Sequence, residues 1–403
     1  MSRGCATIAD AVPTYDVIVI GLGATGSAAA YQLAKRGRRV LGLDRHAPPH
    51  AFGSSHGDTR ITRCAIGEGA HYSPLALRSH TIWRELERET NLELFDACGL
   101  LVLSGDGATA FTHVPGFFAN TIAAAERFGV PHEMLDTAAI RARYPAFNVN
   151  DDERAYFEPG AGFLRPEACV RAHLQMAARH GATLHKDEAA RSFDAADGGV
   201  TVTTDRATYA AGTLIVAAGP WLAALLDAAL ARHFSVYRQV LLWFDVDEPV
   251  ALFERARFPA FIWELTGKPQ SIYGFPAIDG PRGGIKVATE RFAATTTPEA
   301  VGCDVTPDEI AVTHADYIAP YLPSVSARCV RAATCLYTVT PDFGFVVDRH
   351  PHQPNVIVAS PCSGHGFKHS AALGEALADL AEHKTGPIDL RAFSFARFGA
   401  SAT

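Results

Sequence analysis

The chain has no surplus of positive charge. Lys and Arg number 36 against 43 Asp and Glu, giving a formal net charge of −7 and a pI near 6.2. Without a basic stripe, binding to a nucleic-acid backbone has no electrostatic footing, and an acidic substrate must find its positive charge locally. The eight cysteines form no CxxC pair and no Cys/His cluster at metal-ligand spacing, so a zinc or iron–sulfur site is not expected and reduced thiols in a cytoplasmic protein are. Nor is there a long apolar run. The most apolar stretch, Leu214 to Leu226, is 13 residues long and broken by Gly219-Pro220, whereas a membrane span needs about 20. The first 14 residues hold one Arg and no apolar core of signal-peptide length, so export is not expected. Low-complexity tracts, internal repeats and flexible linkers are also missing.

What remains is ordinary globular material, 48% hydrophobic and 20% charged with 34 glycines in 403 residues, enough chain for two or three domains and a large core. It opens on a βαβ unit. Tyr15 to Ile20 is a continuous apolar strand of the kind buried in a parallel sheet. Gly21-Leu22-Gly23-Ala24-Thr25-Gly26 follows, small residues carry a helix from about Ala24 to Arg36, and Arg39 to Asp44 forms the second strand. Each glycine meets a separate need: Gly21 the tight turn, Gly23 close approach of backbone amides to a pyrophosphate, Gly26 close helix–sheet packing. Asp44 closes the second strand, placed to accept hydrogen bonds from an adenosine ribose. Strand, helix and acid in register make this a dinucleotide site, although the motif does not choose between FAD and NAD.

Further along, Pro74 to about Asn91 reads as a helix, Gly99 to Leu103 as a strand, and Pro166 to about His180 as a helix. Gly212 to Val216 is another buried strand, ending in a glycine turn at Gly219 before a helix. That turn is either a return to the nucleotide or a plain strand–turn–helix without ligand contact. From Ser235 to about Glu290 the pattern becomes β-rich, with runs at 240–246, 259–265, 272–275 and 284–289 spaced by Gly and Pro turns. A helix near Pro307 to Tyr317 closes this part, and Asn355 to Ala359 returns to a buried parallel-type strand followed by a helix to about His383. The expected fold is therefore α/β: a Rossmann-like dinucleotide domain, discontinuous in sequence (1–95, 150–232 and 325–403), with a second α+β substrate domain on an antiparallel sheet (96–149 and 233–324).

Two segments gain meaning only in combination. Gly53 to Arg63 carries Arg60 and Arg63 after glycines that let backbone approach a ligand, but exposed loop arginines are the norm. Cys335, in Thr334-Cys335-Leu336-Tyr337-Thr338, is either a buried strand cysteine or a flavin tether brought back to the cofactor from the far end of the chain. With the opening GLGATG and Asp44, with SSHGDTRITR, YGFP and GGIK, TCLYTVTPD and SGHGFK, all in order from residue 15 to about 385, the chain resembles the monomeric sarcosine oxidase family. That family includes N-methyltryptophan oxidase and the fructosyl-amino-acid and pipecolate oxidases.

The resemblance implies FAD, attached covalently through Cys335, with Thr59, Gly219, Gly364, Gly366 and Lys368 joining Gly21, Gly23, Gly26 and Asp44 around the cofactor. It places His56 and Arg60 near the flavin ring and Lys286 over it to activate oxygen. Arg63 and Lys368 hold the substrate carboxylate, and Tyr273 and Tyr337 line the pocket. The residue types suit the chemistry. A planar Arg fork and a Lys point charge fix an amino acid by its acid end, hydride leaves the carbon beside the neutral amine, and water hydrolyses the imine. A fixed ammonium stabilises the superoxide-like charge as O₂ becomes H₂O₂. Without the resemblance, Lys286 reads as a solvent-facing lysine on an alternating strand.

Two positions depart from the pattern. Glu290 stands where close relatives carry a pocket histidine, and Ile66 where a tyrosine is usual near the flavin. Glu290 is either a pocket carboxylate favouring a substrate with a second amine or hydroxyl, or an exposed strand end. The expected activity is an FAD-dependent oxidase of secondary amino acids, acting on CH–NH donors with O₂ as acceptor. Sarcosine is the leading substrate, followed by N-methyltryptophan or a cyclic imino acid. The alternatives are a dehydrogenase using another acceptor, which Lys286 argues against, and a structural flavin-binding subunit, which Arg63 and Lys368 argue against. A cytoplasmic monomer acting on a small amino acid, with no metal, nucleic acid or membrane, completes the expectation.

Overall fold

The computed structural model describes residues 14–108, 114–196, 198–247, 249–280, 283–302 and 304–399. The N-terminal stretch expected to lack a leader, Cys5 and Cys303 lie outside them. Strand β1 (Thr14–Ile20), helix α1 (Ala24–Lys35) and strand β2 (Val40–Leu43) form the opening unit. β1 lies between β2 and the Thr208–Val216 strand, parallel to both, with Val17 to Ile20 opposite Val40 to Leu43 on one side and Thr213 to Val216 on the other. The Gln353–Ser360 strand pairs parallel with Thr208–Val216, so the end of the chain does return to the opening sheet. Antiparallel strands extend its edges. Helix α1 is made of small residues because it packs closely: a Cβ on Gly374, in the Ser370–Ala381 helix, would lie 2.5 Å from the Cβ of Ala28.

The second sheet is built on two long strands, Ser235–Val246 and Val325–Val339, paired antiparallel along most of their length. This register sets Gln239 opposite Cys335 and Trp243 opposite Arg331. On its other side Trp243 stands opposite Lys286 of the Ile285–Thr289 strand. The sheet continues through Ile272–Gly274, Ala260–Glu264, Leu100–Ser104 and Arg154–Glu158. It is not wholly antiparallel, because Ala260–Glu264 runs parallel to Leu100–Ser104. The sequence-based division gave segments 150–232 and 325–403 to the nucleotide unit, yet the strands at 154–158 and 325–339 pair within this second sheet.

Two elements differ in kind from expectation. Beyond Gly219 the chain forms a 3₁₀ turn, Gly219–Leu225, and only four residues of α-helix, Ala228–Ala231. Pro220 near its start fits a first helical turn, but Asp227 caps a new helix with its own carboxylate. The helix expected to reach Tyr317 is regular over Pro307–Thr313, opened by a Thr306–Glu309 capping box, and finishes in a π-turn, His314–Ile318.

Candidate active site

A cavity of about 310 Å³ runs along the carboxyl ends of the opening sheet, with Gly21, Gly23, Ala24, Asp44, Gly219, Gly364 and Gly366 in its wall. Two of the motif's glycines are packed against backbone. A Cβ on Gly26 would lie 1.8 Å from the carbonyl oxygen of Gly21, and one on Gly21, at φ +88°, would lie 2.4 Å from that of Ala217. Gly23 differs: nothing nearer than Ser55 Oγ at 3.4 Å would meet its Cβ, so its open side faces the cavity. Helix α1 begins there with no acid in its first turn, its Ala24 N–H donating to Ser55 Oγ at 3.2 Å, a setting that favours an anion. Asp44 accepts from Leu22 N–H at 2.7 Å and His46 N–H at 2.9 Å, which tethers the end of β2 to the glycine turn.

The 53–63 loop joins this cavity to a second one. Arg60 donates to the carbonyls of Thr59 (2.8 Å) and Ser54 (3.0 Å) and reaches Cys335 Sγ at 3.5 Å. Cys335 is 2% exposed and sits one step behind the cavity wall formed by Arg60 and Ser54. Burial pushes its thiol up, while the charges of Arg60 and Lys286 pull it back. Lys286 is 2% exposed, which overturns the solvent-facing alternative. Its ammonium donates to the carbonyls of Gly57 (2.8 Å) and Thr59 (2.7 Å) and lies over the ring of Phe275 at 4.4 Å. Burial, then Arg60, push it well below the ordinary lysine range. Burial and the same two cations bring His56 down to about 3, so its imidazole is neutral.

The second cavity, about 80 Å³, gathers the expected substrate residues: Arg63, Tyr273, Glu290, Tyr337 and Lys368, with Arg60 shared between both cavities. Tyr273 and Tyr337 are both raised chiefly by burial, Tyr273 to about 12. Sequence reasoning missed Glu68, which holds the two cations together. Arg63 Nη2 donates to Glu68 Oε2, and Lys368 Nζ lies 3.9 Å from Glu68 Oε1. Against the cost of burial, these two positive charges keep the Glu68 carboxyl well below the usual range. Its signal was available as an acid five residues beyond Arg63, in a segment with no other reason to be charged.

Supporting carboxylates were missed as well. Glu158 accepts from Cys64 N–H (2.7 Å) and Ala65 N–H (3.2 Å), fixing the backbone just after Arg63, and Glu167 accepts from Gly57 N–H at 2.6 Å. Both lie about a hundred residues from the loop they hold, a separation that no local pattern reveals. Ile66 lies elsewhere than expected: it is packed in the core with Leu75 and Trp83 and lines neither cavity.

Residues 16–380 match the family model described as FAD dependent oxidoreductase. The chain belongs to that family. It is 44% identical over 371 residues to a monomeric sarcosine oxidase of Streptomyces avermitilis, covering 92% of this chain and 94% of the relative. It is 36% identical over 394 residues to an N-methyl-L-tryptophan oxidase of Yersinia pestis, covering 95% and 99%. Among solved structures, NikD, an amino acid oxidase of nikkomycin biosynthesis in its open form, superposes with a TM-score of 0.80 at 25% identity, covering 95% of this chain and 97% of NikD. Glycine oxidase from Geobacillus kaustophilus shares the fold, with a TM-score of 0.75 at 21% identity, covering 96% and 99%. The expected α/β FAD-binding fold and resemblance are thus correct, and the protein is an FAD-dependent oxidoreductase.

The residues present fit FAD. Gly23 and the start of α1, which has no acid in its first turn and donates Ala24 N–H to Ser55 Oγ at 3.2 Å, suit a pyrophosphate, and Asp44 lines the same cavity for a ribose. Among the described residues no group of three His, Cys, Asp or Glu is placed to hold a metal ion, and no helix is long and apolar enough to cross a membrane.

Proposed function

We propose that this protein oxidises secondary amino acids, N-methyl amino acids in the first place, with O₂ as electron acceptor and H₂O₂ as product. One observation carries the reading: the smaller cavity already seats a carboxylate, that of Glu68, between Arg63 and Lys368. A substrate's acid end would take that seat, with Arg63 offering its fork and Lys368 a point charge. FAD, when bound, accepts the hydride and passes the electrons to O₂. Tyr273 lines the smaller cavity and Tyr337 lines both, so they would help turn the carbon next to the amine toward the larger cavity. The amine must be neutral for hydride to leave, and the imine that results is hydrolysed to an amine and an aldehyde or keto acid.

Lys286 would stabilise the negative charge that O₂ acquires, a role supported by its buried Nζ, held by two carbonyls beside Arg60. Cys335 would tether the flavin covalently, its thiol lying between Arg60 and the 53–54 backbone. His56, Thr59, Gly219, Gly364 and Gly366 would surround the cofactor. The chain would divide into an FAD-binding unit and a substrate unit along the two sheets, and work as a cytoplasmic monomer. The relatives named monomeric sarcosine oxidase and the six free thiols among the described residues support that setting.

The test compares sarcosine with dimethylamine, which lacks the carboxylate. The clamp reading expects peroxide from the first and a kcat/KM for the second lower by about 10-fold or more, the value of one charge-assisted hydrogen bond. Equal turnover of both would overturn it.

A further inference from the structure

We propose that Asp58 is a positioning residue for the reaction with O₂: its left-handed backbone aims the two carbonyls that hold Lys286. The inference rests on the role given to Lys286 above and adds the part of the chain that sets it.

Lys286 Nζ donates to the carbonyls of Gly57 (2.8 Å) and Thr59 (2.7 Å), the residues on either side of Asp58. Asp58 has φ +65°, and across it Thr59 N–H donates to Gly57 O at 2.8 Å, which closes a three-residue turn. A γ-turn of positive φ is rare and strained for a residue other than glycine, so the surroundings must impose it. Three contacts do so. Glu167 accepts from Gly57 N–H at 2.6 Å and from Asp58 N–H at 3.3 Å. Gly57, at φ +92°, is pressed so closely on the second sheet that a Cβ there would lie 2.5 Å from Leu241 Cδ1. The Asp58 carboxylate pairs with Arg331, whose guanidinium lies 3.8 Å from the centre of the Trp243 ring. Lys286 Nζ is 5.6 Å from the same ring, and Trp243 stands opposite both residues in the sheet.

Asp58 lines neither cavity, so its influence passes through Lys286. Burial and the charge of Arg60 work against a positive Lys286, and the carboxylate of Glu167 works for it. The two carbonyl oxygens aimed at Nζ also favour the charged form, since each presents the negative end of a dipole. Relaxing the turn withdraws those oxygens. Nζ is then free to swing and less able to keep a proton, where O₂ needs positive charge as it is reduced.

The experiment takes holoenzyme reduced by dithionite, so no substrate is needed, and mixes it in stopped flow with O₂ or with ferrocenium. Two ferrocenium ions take one electron each and become neutral, so their reduction gains nothing from a nearby positive charge. Asp58→Val cannot hold a positive φ without strain, Asp58→Ala holds it at a cost, and Asp58→Asn and Asp58→Gly adopt it readily. The ratio of the O₂ rate to the ferrocenium rate should fall by about 10-fold or more in Asp58→Val, the size of one hydrogen bond to a charged group. It should fall less in Asp58→Ala and recover in Asp58→Asn and Asp58→Gly. A purely structural role would lower Tm in the same order and leave the ratio constant. That constancy, beside a lowered ratio in Lys286→Met, would overturn the inference and leave the oxygen role of Lys286 standing. A wild-type ratio in Lys286→Met would overturn that role, and the inference with it. If Asp58→Val fails to fold, Asp58→Ala against Asp58→Gly decides, and equal ratios in those two would sink the proposal.

Discussion

Glu68 sits against Arg63 and Lys368, where the proposed clamp would hold a substrate carboxylate, and this position has consequences that can be measured together. Removing its charge leaves Arg63 and Lys368 buried without their anion, a change that costs roughly 3–5 kcal/mol in comparable buried pairs. It also vacates the seat for an added acid. Glu68→Gln should therefore lower Tm, bind a simple carboxylate about 10-fold more tightly, and regain more Tm from that carboxylate than wild type does. Thermal melts with and without propanoate check all three. Lys368, lowered by burial to about 8, and Glu290, raised by burial to about 8, give the clamp its pH dependence. Below that pH Lys368 is charged and Glu290 neutral. As pH rises through about 8 the lysine loses its proton and the glutamate acquires a negative charge, and both changes repel an anion. Propanoate, which has no titrating amine and is fully ionised above about pH 6, should bind with constant Kd between about pH 6 and 7 and weaken by about tenfold per pH unit above 8 for each linked proton. An unchanged Kd up to pH 9.5 would separate these groups from the ligand.

Among the elements, the β1–α1 turn was the most legible, because each glycine answers a local steric demand. The structure separates those demands. Gly26→Ala drives a methyl into the Gly21 carbonyl, 1.8 Å away, and should cost more than about 3 kcal/mol, giving little folded protein. Gly23→Ala meets only Ser55 Oγ at 3.4 Å, so it should fold and lose FAD affinity instead. Calorimetry of the apoproteins beside FAD titration distinguishes the two. The 53–63 loop was legible only as a motif. Arg60, Arg63 and the Lys286 acceptors sit there because Glu158, Glu167 and strand Ile285–Thr289 hold the loop from afar, and such pairings have no local period. Lys286→Met should leave flavin reduction by substrate largely intact and slow reoxidation by O₂ by about 10²- to 10³-fold. Stopped-flow mixing of the reduced variant with oxygen measures this, and an unchanged rate would remove Lys286 from the oxygen site.

Across the whole molecule, two sheets meet around one cofactor cavity, and residues from Gly21 to Phe367 converge there because the Gln353–Ser360 strand returns beside Thr208–Val216. Buried apolar runs announced the central strands of both sheets. The strands whose sheet partner could not be read locally were those whose pattern names none: Val325–Val339 is half exposed over its first ten residues and gains its place only by pairing with Ser235–Val246. In the proposed reaction this architecture presents the carbon beside a secondary amine to FAD, with the acid end fixed by Arg63 and Lys368. Anaerobic mixing of the purified holoenzyme with N-methyl amino acids, watched at the flavin absorbance band, tests it most directly. N-methyl amino acids should bleach the flavin, at least tenfold more slowly in Arg63→Gln and Lys368→Met, with colour returning when O₂ is admitted. A flavin that stays oxidised across the whole panel, or bleaches equally well in both clamp variants, would contradict it.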